Sequence, residues 1–128
     1  VYYSALNRAD IQQRKGLYPP PPGESDILGL EAVGVIYQAP ENSKWKINDR
    51  CMALVGGGGN AEYVAVHEKN LIRIPEWMSF REAAALPEAW LTAFQLLYWI
   101  SNLASNNFHK DLSQVRVLVH AGASGVGT

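Results

Sequence analysis

The sequence predicts a compact, barrel-like β module, then two helices, and finally the first strand and glycine-rich turn of a separate α/β domain. Two observations carry this prediction. Between residues 27 and 74, short apolar runs alternate with polar or glycine-containing turns, which is the pattern of an all-β module. At the end of the chain, an apolar run at 115–120 leads into a loop of small residues, as a buried parallel strand leads into a βα turn.

The elements before the β module are a strand end, a short helix and a stiff loop. Residues 1–6 have the pattern of the end of a strand, and residues 8–15 follow as a helix. Asn7 is the predicted N-cap of this helix, and Gly16 can close its C-terminus. The proline run at 19–22 must be extended and exposed. We interpret it as a stiff loop rather than a ligand for a partner domain.

Four strands are predicted within the β module, at 29–37, 51–55, 61–66 and 71–74. A turn at 48–50 separates the first two strands. The glycine run at 56–59 is predicted to be a mobile turn. It is not a phosphate loop, because no Lys-Ser or Lys-Thr pair follows it.

Two helices follow the β module. Ser79 and Glu82 form a predicted capping box at the start of the first helix. Pro87 breaks that helix and stands near the first position of a second one, which extends towards Leu103. A polar connection at 101–114 then leads to the last strand. Three aromatic residues at helical spacing are predicted to lie in the core or at an interface: Trp90, Phe94 and Trp99.

The loop at 122–127 is typical of a turn that binds a nucleotide pyrophosphate. Its glycines allow the backbone to approach closely, and a helix N-terminus after it would supply N–H groups. Ser124 replaces the second glycine of the G-x-G-x-x-G fingerprint, so the loop alone is a weak signal. Because a strand and a loop do not complete a domain, we expect the chain to be a fragment that lacks residues at both ends.

Composition and charge exclude several classes of function. The formal net charge is −1, so the chain lacks the basic surplus expected of a partner for nucleic acid or anionic lipid. No apolar run reaches the length of a membrane span, and the first residues do not resemble a signal peptide. The single cysteine, Cys51, cannot form an intrachain disulfide and fits a reducing compartment. We therefore expect a cytoplasmic protein with neither a nucleic-acid nor a membrane partner.

Six motifs occur in order along nearly the whole chain: L-N-R-A-D at 6–10, G-L-Y at 16–18, L-G-L-E-A-V-G at 28–34, N-A-E-Y at 60–63, A-A-A-L-P-E-A-W-L-T-A-F at 83–94 and H-A-G-A-S-G-V-G-T at 120–128. In this series the chain resembles the medium-chain dehydrogenase/reductase superfamily, in particular its zinc-independent NADPH:quinone oxidoreductases of the p53-inducible type. The resemblance implies a GroES-like β-barrel catalytic domain, with linking helices, at 1–103. It implies a connection and the start of a truncated Rossmann domain at 104–128.

The resemblance also implies a reaction and a set of site residues. The full-length protein would transfer hydride from NADPH to a small-molecule quinone, and it would be a homodimer. Asn7 and Tyr18 would line the active cleft near the nicotinamide, and Tyr18 could donate a hydrogen bond to the developing quinol oxygen. Thr92 would lie beside the nicotinamide carboxamide. The remaining cofactor contacts would come from the terminal loop, at Gly122, Ser124, Gly125, Val126 and Gly127.

The residues also argue against zinc. Alcohol dehydrogenases of this superfamily have a cysteine at the position of Asn7 and a histidine at the position of Leu30. A catalytic zinc needs three nitrogen, sulfur or oxygen ligands, and both of these are missing. A four-cysteine structural site cannot be built from Cys51 alone. We expect no metal.

Structural roles and other functions stand beside this hypothesis. Asn7 can be a helix cap, Tyr18 can be a packing residue, and Thr92 can bond back to its own helix. Glu31 and Glu62 are interpreted as structural rather than as an acid/base pair. The alternative functions are an NADPH-dependent reductase of enone or alkenal double bonds, and a binding or structural module without turnover. The chain alone is expected to be inactive, since a βαβ unit needs about 30 residues or more.

Overall fold

The structure is a computed structural model that describes residues 1–101 and 116–128. The chain divides into two compact units, Val1–Glu88 and Ala89–Thr128. In chain order, the described elements are helix α1 (Arg8–Arg14), strands β1 (Glu31–Val35) and β2 (Arg50–Leu54), a 3₁₀ turn (Glu68–Asn70), strand β3 (Leu71–Arg73), helices α2 (Phe80–Ala83) and α3 (Pro87–Phe94), and a π-helical segment (Gln95–Ile100). None of the helices in these ranges has the length and apolar character needed to cross a bilayer.

The sheet of the first unit is antiparallel, with the strand order β1-β2-β3. Val33 lies opposite Met52, and Met52 lies opposite Ile72, so one row of apolar residues crosses all three strands. The predicted strand end at 1–6 makes a single bridge, from Tyr3 to Val33, in which the Val33 N–H donates to the Tyr3 carbonyl at 2.9 Å. The prediction of a β-rich module is confirmed.

The main core lies between the sheet and α2. Val33 and Ala83 are 1% and 0% exposed, and they pack in one cluster with Met52, Ile74 and Ala84. Burying side chains of this size contributes roughly 1.5–3 kcal/mol each. A smaller cluster around Trp45 and Cys51 lies elsewhere on the same sheet. The sheet and α2 thus form one packed body on which the surrounding loops are held.

The short helices begin and end at the residues that the sequence indicates. Asn7 precedes α1, and its backbone N–H donates to Asp10 Oδ2 at 2.7 Å. Gly16 follows α1 with a φ of +71°, a left-handed conformation that favours glycine. Ser79 Oγ accepts from the Glu82 N–H at 3.2 Å, and α3 starts at Pro87. These predictions are confirmed; the predicted helix end at Leu103 lies outside the described residues.

Two predictions within the β module are wrong. Residues 61–66 form no strand, because β3 takes the place beside β2 and nothing in the described ranges forms a ladder with them. The glycine run is not a mobile turn, since Gly57, Gly58 and Gly59 are buried. The Gly58 N–H donates to the Ile27 carbonyl at 2.7 Å, and the Gly59 N–H donates to the Gly29 carbonyl at 2.9 Å. Without side chains these residues pack directly against the chain before β1.

In the second unit, the buried terminal strand is also wrong. Residues 116–119 are exposed and lie in no strand, while Val115 and the connection at 102–114 lie outside the described residues. A parallel strand is stabilised by neighbours on both sides, and the described part of this unit supplies none. Trp90 and Trp99 are 68% and 71% exposed, so they are not core residues of this unit. Their interface role and the domain boundary near 103 stay predictions.

Candidate functional site

Two carboxylates are buried in the first unit where α1 and β1 begin. Glu31 is 1% exposed and is the first residue of β1, a strand whose first four residues are all buried. Asp10 is 4% exposed and lies in the first turn of α1. Buried carboxylates are costly unless hydrogen bonds satisfy their oxygens. Their partners therefore define the site.

All four carboxylate oxygens accept a hydrogen bond. Glu31 Oε1 accepts from the Asn7 side-chain Nδ2 at 2.7 Å, and Glu31 Oε2 accepts from the backbone N–H of Glu88 at 3.1 Å. Asp10 Oδ2 accepts from the Asn7 backbone N–H, and Asp10 Oδ1 accepts from the Gly29 N–H at 3.2 Å. We call Asn7, Asp10, Glu31 and the Glu88 N–H the Asn7 network. It joins the beginnings of α1, β1 and α3.

Close backbone packing fixes Glu31 in this network. A Cβ on Gly59 would lie 2.2 Å from the Glu31 carbonyl oxygen, and a Cβ on Gly29 would lie 2.3 Å from the Asn60 nitrogen. Gly29 also has a φ of +109°, which other residues rarely adopt. Ser4 Oγ donates to the Glu31 carbonyl at 2.8 Å. The buried glycine run therefore holds the backbone of Glu31 from behind.

The electrostatics of the site favour the protonated acids. Burial raises the pKa of Glu31; the hydrogen bonds from Asn7 and Glu88 oppose this shift, and the charge of Asp10 adds to it. The pKa of Glu88 is raised by burial first and then by the charges of Glu31 and Asp10. The single ion pair among the described residues, Arg73 with Asp49, does not involve this cluster. Neutral N–H donors alone balance the carboxylates.

The two residues predicted to be catalytic lie at opposite ends of α1. Asn7 is half-buried at the N-terminal end, and its amide is held by Glu31. Its capping position and its place in a polar cluster are thus compatible. Tyr18 lies two residues after Gly16 and is 50% exposed. It is not a packed core residue, so its ring is accessible to a ligand.

Thr92 and the terminal loop belong to the second unit. Thr92 lies on α3 and is half-buried. Ser124 Oγ accepts from the Gly127 N–H at 3.1 Å, and the Thr128 N–H donates to the Ser124 carbonyl at 3.0 Å, as in the first turn of a capped helix. A Cβ on Gly127 would lie 2.4 Å from the Ala121 carbonyl oxygen, whereas Gly125 has open space.

This loop has the features that a pyrophosphate needs. Gly122, Gly125 and Val126 are accessible, and the capping by Ser124 begins a helical turn, whose first N–H groups have no partner within a helix. Ser124 accepts from Gly127 and keeps its hydroxyl proton for a phosphate oxygen. The residues present therefore fit the phosphates of a dinucleotide.

The donor set does not fit zinc. Leu30, at the position of the zinc-binding histidine, is a hydrocarbon residue and is 6% exposed. The amide nitrogen of Asn7 is committed to Glu31. Within residues 1–101 and 116–128, no group of three or more His, Cys, Asp or Glu side chains is placed to hold a metal ion.

The largest cavity of the first unit is separate from the Asn7 network. It has a volume of about 850 Å³, and its lining includes Tyr37, Trp45, Cys51 and Tyr63 but neither Asn7 nor Glu31. The buried Trp45 Nε1 has no hydrogen-bond partner among the described residues. The polar cluster at the start of β1, rather than this cavity, contains the residues that the motifs single out.

The sequence did not indicate that Glu31 and Glu88 belong together. Glu31 was expected to be structural, and Glu88 was not considered at all. A signal was available: Glu31 stands between Leu30 and Ala32 in a strand that is otherwise apolar. A charged residue in such a strand must find partners. The partner that is 57 residues away could not be identified from the chain itself.

Comparison with known proteins places these features in a family. Residues 1–76 match the family described as "Alcohol dehydrogenase GroES-like domain". The chain is 37% identical, over 99% of its length, to "Synaptic vesicle membrane protein VAT-1 homolog" of Danio rerio, and it spans 25% of that protein.

Solved structures of similar fold have related titles. The human VAT-1 homolog-like protein superposes with a TM-score of 0.77 at 32% identity, over 97% of this chain and 38% of that one. The quinone oxidoreductase of Thermus thermophilus, whose title includes a complex with NADPH, gives 0.66 at 35% identity, over 97% and 36%. JamJ enoyl reductase gives 0.76 at 28% identity, over 97% and 38%.

Proposed function

The chain belongs to the alcohol dehydrogenase GroES-like domain family of the medium-chain dehydrogenase/reductase superfamily, and from this premise we propose that the protein carrying it is a metal-independent NADPH:quinone oxidoreductase. The observation that supports the proposal best is the Asn7 network. Where the zinc enzymes of the family bind a metal, this chain has an amide held by a carboxylate and a buried leucine.

A reaction without a metal suits an electrophilic acceptor. When bound, NADPH supplies the hydride. A quinone needs no Lewis acid, because aromatisation stabilises the reduced ring. The chain then has to bind, orient and donate hydrogen bonds. In our proposal Asn7 and Tyr18 line the cleft at the nicotinamide end, and Tyr18 donates a hydrogen bond to the oxygen that gains charge.

The cofactor's other contacts are assigned to the second unit. Thr92 would bond the carboxamide group, and the loop from Gly122 to Gly127 would hold the pyrophosphate. The fold similarity to a quinone oxidoreductase whose title includes NADPH supports this assignment. The open space at Gly125 and the accessible Val126 support it as well.

A reductase of enone or alkenal double bonds is the second candidate. Its specific support is the similarity to JamJ enoyl reductase, at a TM-score of 0.76. Such an acceptor is also electrophilic and would use the same residues. The difference lies in where the hydride goes, to a carbon–carbon double bond rather than to a quinone.

One experiment separates the two candidates. The complete protein is given NADPH with either 1,2-naphthoquinone or an α,β-unsaturated aldehyde, and loss of NADPH absorbance is followed. We expect faster cofactor oxidation with the quinone. Activity confined to the aldehyde would replace the first proposal with the second, and no oxidation with either would support a module without turnover. Homodimer formation, a cytoplasmic location and the domain division near residue 103 remain proposals alongside this one.

A further inference from the structure

We propose that Glu31 is a positioning residue for Asn7, an inference that rests on the proposed role of Asn7 at the nicotinamide. The starting point is the geometry of one carboxylate. Glu31 is 1% exposed, and its two oxygens accept from two different elements: the Asn7 amide at 2.7 Å and the Glu88 N–H at 3.1 Å. The carboxylate thereby links the start of α1 to the start of α3.

The bond to Glu31 fixes how the Asn7 amide is turned. An asparagine amide has one donating and one accepting arm, and either can face a given direction. Because the nitrogen arm is bonded to a buried carboxylate, the oxygen arm points away from Glu31. A bond of 2.7 Å to a charged acceptor is short and strong for its type. Asn7 is therefore held as an acceptor for any donor in the cleft, such as a carboxamide NH₂ group.

Only an acidic residue satisfies both contacts. Two N–H donors converge on Glu31, and a carboxylate offers acceptors on both oxygens. A glutamine would offer one acceptor and would direct its NH₂ group at the remaining donor. The backbone N–H of Glu88 is one of the unpaired N–H groups in the first turn of α3, so the helix dipole adds to the attraction. The site is thus built for a charge at position 31.

The glycine run explains why Glu31 does not move. Its carbonyl oxygen lies where a Cβ on Gly59 would be, and it accepts from Ser4 Oγ at 2.8 Å. The backbone is held on one side, and the side chain is held on the other. Glu31 is therefore a rigid support, and Asn7, at the surface of the network, is the part that a ligand would touch.

A double-mutant cycle in the complete protein tests the inference. The variants are N7A, E31Q and N7A/E31Q, with the exposed Glu62→Gln as the matched control. We expect E31Q to lower kcat about ten- to a hundredfold, the effect of one charge-assisted hydrogen bond, while E62Q leaves it unchanged. If Glu31 acts through Asn7, N7A/E31Q is no slower than N7A alone. Effects that multiply, or an E31Q variant as fast as E62Q, would overturn the inference.

The same cycle separates this inference from the proposed function. An N7A variant with full activity contradicts the proposed role of Asn7 itself. A slow N7A with an unaffected E31Q contradicts only the positioning role. A readout that needs no turnover is the NMR signal of the Asn7 side-chain amide in the 128-residue chain. It should shift on E31Q substitution and stay unchanged in E62Q, and an unshifted signal in E31Q also overturns the inference.

A second variant covers the case in which E31Q does not fold. Asn7→Asp leaves Glu31 on the Glu88 N–H and places two carboxyl groups against each other, with Asp10 and the Glu88 side chain as the other acids of the cluster. We expect activity that is low at neutral pH and recovers as the pH falls, because the two groups can then share a proton. A loss that does not depend on pH would contradict a direct contact between positions 7 and 31.

Discussion

The substitution Gly59→Ala tests whether the glycine run supports the site. Its Cβ would lie 2.2 Å from the Glu31 carbonyl oxygen and 3.0 Å from the Gly29 carbonyl carbon, more than 1 Å short of the ordinary contact distance in the first case. Both neighbours are backbone atoms, so no side chain can rotate away. Overpacking of this kind costs about 1–3 kcal/mol. For a unit of this size the melting temperature should fall by roughly 5–15 °C.

The assay is thermal and urea unfolding of the 128-residue chain, with Gly125→Ala as the matched control. Gly125 has nothing within 4 Å of an added Cβ. Both substitutions reduce the freedom of the unfolded chain similarly, so their difference isolates the clash. We expect G125A to unfold like the wild type. If G59A stays within about 0.5 kcal/mol of G125A, the tight packing behind Glu31 is refuted.

Three further predictions concern charges. Arg50→Ala removes bonds to three backbone carbonyls before α2 and the stacking of the guanidinium 4.6 Å from the Phe80 ring, so urea unfolding should show a loss of about 2 kcal/mol that Arg50→Lys recovers only in part. The pKa of Glu31 is raised in the folded chain, so its contribution is fully present at low pH; the stability of the wild type relative to E31Q should fall as the pH rises through that pKa, and a rise would contradict the burial argument. Asp49, whose pKa the Arg73 guanidinium holds at about 2, acts in the opposite sense: its contribution should be lost as the pH falls towards 2, and D49N should lack this acid-side loss.

The short helices could be predicted because their signals are local. Asn7 and Gly16 mark the two ends of α1, and Ser79 and Pro87 mark the starts of α2 and α3. Each signal depends on backbone N–H groups or dihedral angles within a few residues. The β-rich module followed for a similar reason, since short apolar runs with turns between them allow few other arrangements.

The errors concern contacts between distant residues. Residues 61–66 alternate like a strand, yet β3 takes the pairing position beside β2. Periodicity predicts which residues can pair and cannot predict which neighbour pairs first. The glycine run resembled a mobile turn because its packing partners, residues 25–31, lie some 30 positions earlier in the chain.

The candidate site divides along the same line. Asn7 could be selected from its motif, but its bond to Glu31 spans 24 residues, and the bond from the Glu88 N–H spans 57. Nothing local in the sequence distinguishes Glu31 from a strand residue with an incidental charge. Only the fold shows that two donors converge on it. Tyr18, Thr92 and the terminal loop rest on the motif resemblance, and their roles at a cofactor remain proposals.

The central claim is that the protein reduces quinones with NADPH and without a metal, through a site built on Asn7. The most direct measurement is steady-state NADPH oxidation by the complete protein with 1,2-naphthoquinone, before and after dialysis against a chelator. We predict equal turnover in the two samples and a large loss in N7A. Turnover that disappears on chelation and returns with added zinc, or an N7A variant as fast as the wild type, would contradict the account.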